Sequence, residues 1–269
     1  MGWGTRNGYS LYRCGQCTHR FADVGPGILR QDPEEFRRSL THNLMQSDSD
    51  YYSHLCIGER DGGPTRETAR IIIQRLQMLQ TQASRDWLDI GSGSGYLVSE
   101  LCRLGWNAMG IEPGGWGQIA AQEKGITVIQ GFLDERTFDR RFACISATDV
   151  LEHQSDPVSF MKLVKFYLAS DGLAFVSVPY ADSFHGKVMR HRWSMVEPPT
   201  HCQFFTQRSF RLLLKNLGLG FVGVIQFNMS YPPLLRRTRA GRTISDWLLD
   251  VTMGGDQAVF VVRKLAPCP

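Results

Sequence analysis

Residues 86–95 of this chain, Asp-Trp-Leu-Asp-Ile-Gly-Ser-Gly-Ser-Gly, narrow its fold more than any other stretch. The apolar run over 87–90 reads as a buried strand. Gly91, Gly93 and Gly95 follow at alternate positions, and the run over 96–104 has helical spacing and stops at Gly105. A strand, a glycine turn and a helix start make a seat where backbone N–H groups approach a bound molecule with no side chains in the way. The spacing is GxGxG rather than the GxGxxG of dinucleotide sites.

Beyond residue 84 the pattern repeats. Strand-like runs over 108–111, 126–130, 142–147 and 173–178 alternate with helical runs over 116–124 and 157–169. Such alternation implies a doubly wound α/β fold, with a mostly parallel sheet covered by helices on both faces. A helix over 207–217 and strands over 221–227 and 258–262 close the chain. Segment 180–206 breaks the rhythm with His185, His191, Trp193, Pro198, Pro199 and His201. A long irregular segment after a strand's carboxyl end is usually functional, so it reads as a substrate cap. His185 and Trp193 are its expected acceptor-binding residues. The connection holding Arg236, Arg237, Arg239 and Arg242 reads as a solvated basic loop, with a patch for an acidic substrate or carrier protein as the other reading.

Three parts are expected: a knuckle over 1–30, a helical arm or lid over 31–83, and the α/β domain over 84–269. Cys14 and Cys17 form half of a zinc knuckle, which His19 and Cys56 are in principle able to complete. The other readings are an ordinary hairpin and a redox pair. A helix over 33–44 has Asp32 as its N-cap and Pro33 at its first position. A second, over 65–82, aligns Ala69, Ile72, Ile73, Leu76 and Leu79 on one face. Tyr51 and Tyr52 read as packing residues of this arm, with cofactor cover as the alternative.

The 269 residues suit one large core with attachments. No apolar run reaches the roughly 18 residues that span a bilayer, and the N-terminus lacks a signal-peptide core. A cytoplasmic protein with no membrane partner is the expectation. A net charge of +4 is too mild to argue for nucleic acid. Seven scattered cysteines, an odd number, suggest reduced thiols. The expected partner is a small-molecule acceptor, and a homodimer is left open.

The chemistry starts at the glycine turn. The helix beyond it aims roughly half a positive charge at an anionic group. Asp89, just before the turn, suits a cationic amine. Glu112, about 20 residues beyond, suits two ribose hydroxyls. Carboxylate, amine and ribose occur together in S-adenosylmethionine. Residues 89–95 resemble the first motif of class I S-adenosylmethionine-dependent methyltransferases. Asp149-Val150-Leu151-Glu152-His153, with Asp156-Pro157, resembles the motif after the fourth strand in the branch holding the ubiquinone-pathway O-methyltransferases. The knuckle resembles part of the zinc ribbon of sugar and natural-product methyltransferases.

These resemblances imply a seven-stranded sheet whose last strand is antiparallel. They put Pro113 after Glu112 in the cofactor site, Gly131, Phe132 and Leu133 beside the adenine, and Thr148 and Asp149 at the amino-acid end. They imply methyl transfer to a small molecule, at oxygen first, with nitrogen and carbon open. His153 and His201 are the candidate general bases. Asp149, Glu152 and His153, at i, i+3 and i+4, would share one face of a helical turn and suit Mg²⁺ as a variant. The competing classes are a nicotinamide-dependent oxidoreductase, which the GxGxG spacing disfavours, and a non-catalytic regulator of the same fold.

Overall fold

The computed structural model describes residues 1–25, 47–60, 63–79, 84–227 and 255–265. The helix expected over 33–44 and the arginines at 236–242 lie outside them. Three short strands come first: β1 (Gly2–Arg6), β2 (Tyr9–Arg13) and β3 (Arg20–Ala22). Helices α1 (Asp48–Ile57) and α2 (Pro64–Leu79) follow. Then β4 (Asp86–Ile90), α3 (Tyr96–Arg103), β5 (Asn107–Glu112), α4 (Trp116–Lys124), β6 (Thr127–Gln130) and β7 (Phe142–Thr148) alternate. After a 3₁₀ turn (Leu151–His153) come α5 (Pro157–Tyr167), β8 (Leu168–Pro179), α6 (Phe184–Val188), a second 3₁₀ turn (Arg190–Arg192) and β9 (Gln203–Phe204). The described chain closes with α7 (Gln207–Asn216), β10 (Leu219–Phe227) and β11 (Gln257–Lys264).

The main sheet has seven strands in the order β10-β11-β8-β7-β4-β5-β6. Strands β4 to β8 pair in parallel, and β11 runs antiparallel to both β8 and β10. This is the sheet the first motif implied. Successive residues of each strand feed opposite layers. Leu88, Ile145, Ala174 and Phe260 pack towards α5 and α7. Trp87, Cys144, Phe175 and Val259 pack towards α2 and α3. Full burial of the leucine, isoleucine, valine and phenylalanine side chains among these contributes about 1.5–3 kcal/mol each.

Local signals explain the helix ends. The Asp156 carboxylate accepts hydrogen bonds from the amides of Val158 and Ser159, and Pro157 opens α5 as expected. Thr206 and Ser209 cap α7 reciprocally. The largest boundary differences from the sequence reading fall together. Helix α5 ends at Tyr167 rather than 169, and β8 starts at Leu168 rather than 173. The Asp171-Gly172 turn, with Asp171 at φ +60°, is absorbed as an irregularity within a longer strand.

Segment 180–206 is less irregular than its composition suggested. Its strand β9 completes a second sheet, β1-β2-β3-β9. Knuckle and cap are therefore one layer. Its core holds Trp3, Leu11, Ala22, Trp193, Val196 and Phe204. A parallel bridge between Tyr180 and Phe205 joins this layer to the end of β8.

Candidate functional site

A cavity of about 660 Å³ opens at the carboxyl ends of β4, β5 and β7. Strand β4 has β5 on one side and β7 on the other, so this is the point where strand order reverses and where open α/β sheets bind ligands. The cavity is bordered by Asp89, Gly91, Gly93, Glu112, Pro113, Gly131, Phe132, Leu133, Thr148, Asp149 and His153. Gly95 lies just outside and caps α3 in a left-handed conformation.

All three motif glycines have positive φ: 69°, 53° and 70°. L-residues avoid that region, which explains the residue choice. Close approach adds a second reason. A Cβ on Gly91 would lie 2.5 Å from Val150 Cγ2, and one on Gly95 2.4 Å from Ile126 Cδ1.

Two buried carboxylates face the loop. The Glu112 carboxylate accepts the amides of Gly93 at 2.9 Å and Gly114 at 3.1 Å. Trp87 Nε1 donates to Ser146 Oγ at 2.8 Å, and Ser146 Oγ donates to Asp89 Oδ1 at 2.5 Å. Burial raises both acids to about 7, against the pull of these donors. Both acids are buried in the protein and shielded from bulk solvent. Ribose hydroxyls and an ammonium group would supply the missing donors and positive charge. The donor set, the side-chain-free loop and the aromatic wall therefore fit S-adenosylmethionine.

Tyr51 and Leu55 of α1 border the cavity, and the Tyr51 ring packs at 4.5 Å on Trp116. Tyr51 is thus both a packing residue and a cavity wall. Tyr52 is buried beneath, where its hydroxyl accepts from Lys124 Nζ at 3.1 Å. Lys124 also pairs with Glu59 at 3.1 Å, fastening the end of α1 to α4. Tyr52, Lys124 and Glu59 carried no sequence signal for this, because their contacts bridge separate helices.

At the other end, His153 borders the cavity while His201 stands behind it, ring centroids 4.9 Å apart. His153 Nδ1 lies 2.7 Å from the Thr200 carbonyl, and His201 Nδ1 2.8 Å from that of Met195. A carbonyl only accepts, so each Nδ1 carries the proton. Burial depresses His153 to about 3 and also lowers His201.

The structure separates several residues that the sequence grouped. Asp149 is at φ +56° and stands outside the 3₁₀ turn that holds Glu152 and His153. Its carboxylate is taken by Gln257 Nε2 and by Ser177 Oγ at 3.3 Å. Among the described residues, the metal-ligating side chains that converge here are Glu152, His153 and His201, within 4.8 Å of one another. Asp149 is not one of them, and two imidazoles with one carboxylate do not form the oxygen-rich set that Mg²⁺ favours. The expected Asp149–Glu152–His153 face is corrected accordingly.

Trp193 does not reach the cavity. It is buried in the small-sheet core, because β9 draws the cap onto the knuckle. His185 lies on α6, away from the cavity-lining residues. Cys14 and Cys17 occupy the turn between β2 and β3, where backbone amides of Cys17 and Gln16 hold the Cys14 thiol below its usual value. His19 Nε2 instead meets Gln203 Oε1 at 2.8 Å, and Cys56 sits on α1 beside Tyr52 and Glu59. Neither completes a zinc set with the two cysteines among the described residues.

Residues 65–222 match the family described as a methyltransferase domain. The chain belongs to this family. Its fold and motifs are those of a class I S-adenosylmethionine-dependent methyltransferase. It is similar to the ubiquinone biosynthesis O-methyltransferase of Actinobacillus pleuropneumoniae serotype 7 (strain AP76), 31% identical over 119 residues, or 38% of this chain and 51% of that protein. The chain thus spans about half the length of the curated relatives it matches. A crystal structure of Burkholderia thailandensis 1,6-didemethyltoxoflavin-N1-methyltransferase, with 1,6-didemethyltoxoflavin and S-adenosylhomocysteine bound, aligns over 95% of this chain and 98% of its own, at 17% identity and a TM-score of 0.57. An S-adenosylmethionine-dependent methyltransferase from Mesorhizobium loti aligns over 71% of this chain and 96% of its own, at 14% identity and a TM-score of 0.54. These structural likenesses concern the fold.

Proposed function

We propose that this methyltransferase moves a methyl group from S-adenosylmethionine to a hydroxyl oxygen of a small molecule. The observation that carries the reading is one cavity with Asp89 and Glu112 around its glycine loop and the neutral imidazole of His153 in its far wall.

S-adenosylmethionine, when bound, supplies a methyl group already activated by its sulfonium. The protein's share is orientation, proton transfer and exclusion of water. Glu112 and Asp89 hold the donor's ribose and amine. Tyr51 and Leu55 cover it. The acceptor lies against Gln154, Ser159, Phe160 and Leu163, which border the same cavity. Good alignment of such a pair is worth as much as roughly 7–11 kcal/mol. With its proton on Nδ1, His153 would offer Nε2 to the acceptor's hydroxyl proton as the oxygen is methylated. His201, packed edge-on behind it, keeps the ring oriented. The names of the Actinobacillus relatives, which specify O-methylation, support oxygen over nitrogen.

The test is an acceptor screen with methyl-labelled S-adenosylmethionine, using phenols, catechols, aliphatic alcohols and amines. Label transfer to hydroxyl compounds, lost in His153→Ala, is expected. Transfer to amines alone would overturn the oxygen assignment.

A further inference from the structure

Cys14 and Cys17 do not border the cavity, and among the described residues they belong to no metal-ligating cluster. They stand at the two ends of the tight turn that joins β2 to β3. The Cys14 amide donates to the His19 carbonyl at 2.8 Å, and the Thr18 amide donates to the Cys14 carbonyl at 3.1 Å. A tight turn holds the Cα atoms of its first and fourth residues within about 7 Å. A disulfide spans about 4.4–6.8 Å between Cα atoms, so the turn suits one. The two thiols already hydrogen-bond one another.

The turn is held in place from outside. Thr18, at φ +64°, sets its Oγ1 2.9 Å from Thr206 Oγ1 at the start of α7. His19 Nε2 lies 2.8 Å from Gln203 Oε1, and Gln203 Nε2 donates to the Gln154 carbonyl at 3.0 Å. These anchors keep the two sulfur atoms together without a covalent bond. The approach to them is open. Gly15 and Gln16 are exposed, and a Cβ on Gly15 would meet only Met1 Cε, 3.8 Å away. The two sulfurs also differ. Backbone amides of Cys17 and Gln16 lower the Cys14 thiol, while burial raises that of Cys17. Cys14 is thus the thiol suited to attack and Cys17 the one suited to resolve. Cys144 and Cys202 are buried, with thiols pushed up to about 12.

We propose that Cys14 and Cys17 form a dithiol that closes and reopens by exchange with a small disulfide of the glutathione class. The Cys14 thiolate attacks one sulfur of glutathione disulfide. The sulfur–sulfur bond breaks, and one glutathione leaves as thiolate and takes up a proton. Cys17 then gives its proton to water and attacks Cys14 Sγ, expelling the second glutathione. The dithiol is oxidised by two electrons, and glutathione disulfide is reduced to two glutathione molecules. Excess glutathione drives the same steps in reverse. The inference goes beyond the methyl-transfer reading and does not depend on it.

The test is incubation of the full chain with glutathione disulfide, alkylation of the remaining thiols and mass mapping of the tryptic peptide over 14–20. The peptide should lose two hydrogens and take up no alkyl group. Treatment with excess glutathione before alkylation should restore both alkylated cysteines. Cys17→Ser should stop at one glutathione on Cys14, and Cys14→Ser should leave Cys17 unmodified over the same time. Both variants should keep the wild-type far-UV spectrum and S-adenosylhomocysteine affinity, because the turn lies outside the cavity. A peptide that stays fully alkylated after excess glutathione disulfide would overturn the proposal. So would glutathione on both cysteines without closure, or a disulfide between two chains. Alkylation blocked by bound zinc and restored by a chelator would also overturn it, and would identify the pair as metal ligands. Loss of S-adenosylhomocysteine binding in folded protein would count against the methyl-transfer reading alone.

Discussion

The rings of His153 and His201 meet edge to face, each with its Nδ1 bound to a carbonyl of the loop before β9. The pair therefore fastens the cap to the turn after β7. One member borders the cavity and the other supports it.

That difference sets the first expectation. His153→Ala should lower kcat by about 10²-fold, the low end of a positioned base's usual value, because burial leaves its imidazole a weak base. His201→Ala should act through orientation, with a smaller loss. His153 is held neutral, with its folded pKa near 3 against an unfolded value of 6.5. Its stability contribution is present above 6.5 and is lost as pH falls from there towards 3. Rate–pH profiles of both variants, with an identified acceptor, check this.

The buried carboxylates have the opposite sign. Asp89 and Glu112 titrate near 7 in the ligand-free fold and Asp149 near 6, all raised by burial from 3.8 or 4.5. A raised acid favours folding below its unfolded value, and that advantage is lost as pH rises through the folded one. The ligand-free melting temperature should fall between about pH 4 and 7 on their account. Affinity for S-adenosylmethionine should rise across the same range, because the ionised acids bind its donors. Melting curves against pH, with and without S-adenosylhomocysteine, measure both slopes. Glu112→Gln should flatten them and weaken binding by about 1.5–3 kcal/mol per lost charged hydrogen bond.

Gly91 offers a steric test. Gly91→Ala costs about 1–2 kcal/mol for its left-handed backbone, and its new Cβ meets Val150 Cγ2. Adding Val150→Ala should restore the part due to the clash and leave the backbone part. Denaturant unfolding of the two single variants and the double variant separates the terms. Full recovery would mean that the backbone is not strained.

The Lys124–Tyr52–Glu59 link predicts a selective effect on binding. Lys124→Met should loosen α1 and raise the S-adenosylhomocysteine Kd, with little change in global stability, because the link lies outside the sheet core. Calorimetric titration beside thermal melting shows whether the two quantities separate.

The main sheet was legible because most of its strands carry a short apolar run ended by glycine, proline or a charge. The cofactor end was legible because Asp89, the glycines and Glu112 are close in sequence, and backbone geometry alone brings them together. The acceptor end was not. Trp193 has the composition of a pocket residue, yet β9 pairs with β3 and carries it into another core. Gln257 holds Asp149 from a strand far along the chain, and Ser146 links Trp87 to Asp89 across adjacent strands. Such contacts depend on sheet order, which no local spacing encodes.

The account turns most directly on what the glycine loop binds. Isothermal titration of the full chain with S-adenosylhomocysteine, and separately with NAD, decides it. The predicted result is saturable, equimolar binding of S-adenosylhomocysteine that disappears in Gly93→Arg, with no heat from NAD. Binding of NAD, or no binding of S-adenosylhomocysteine by folded protein, would contradict it.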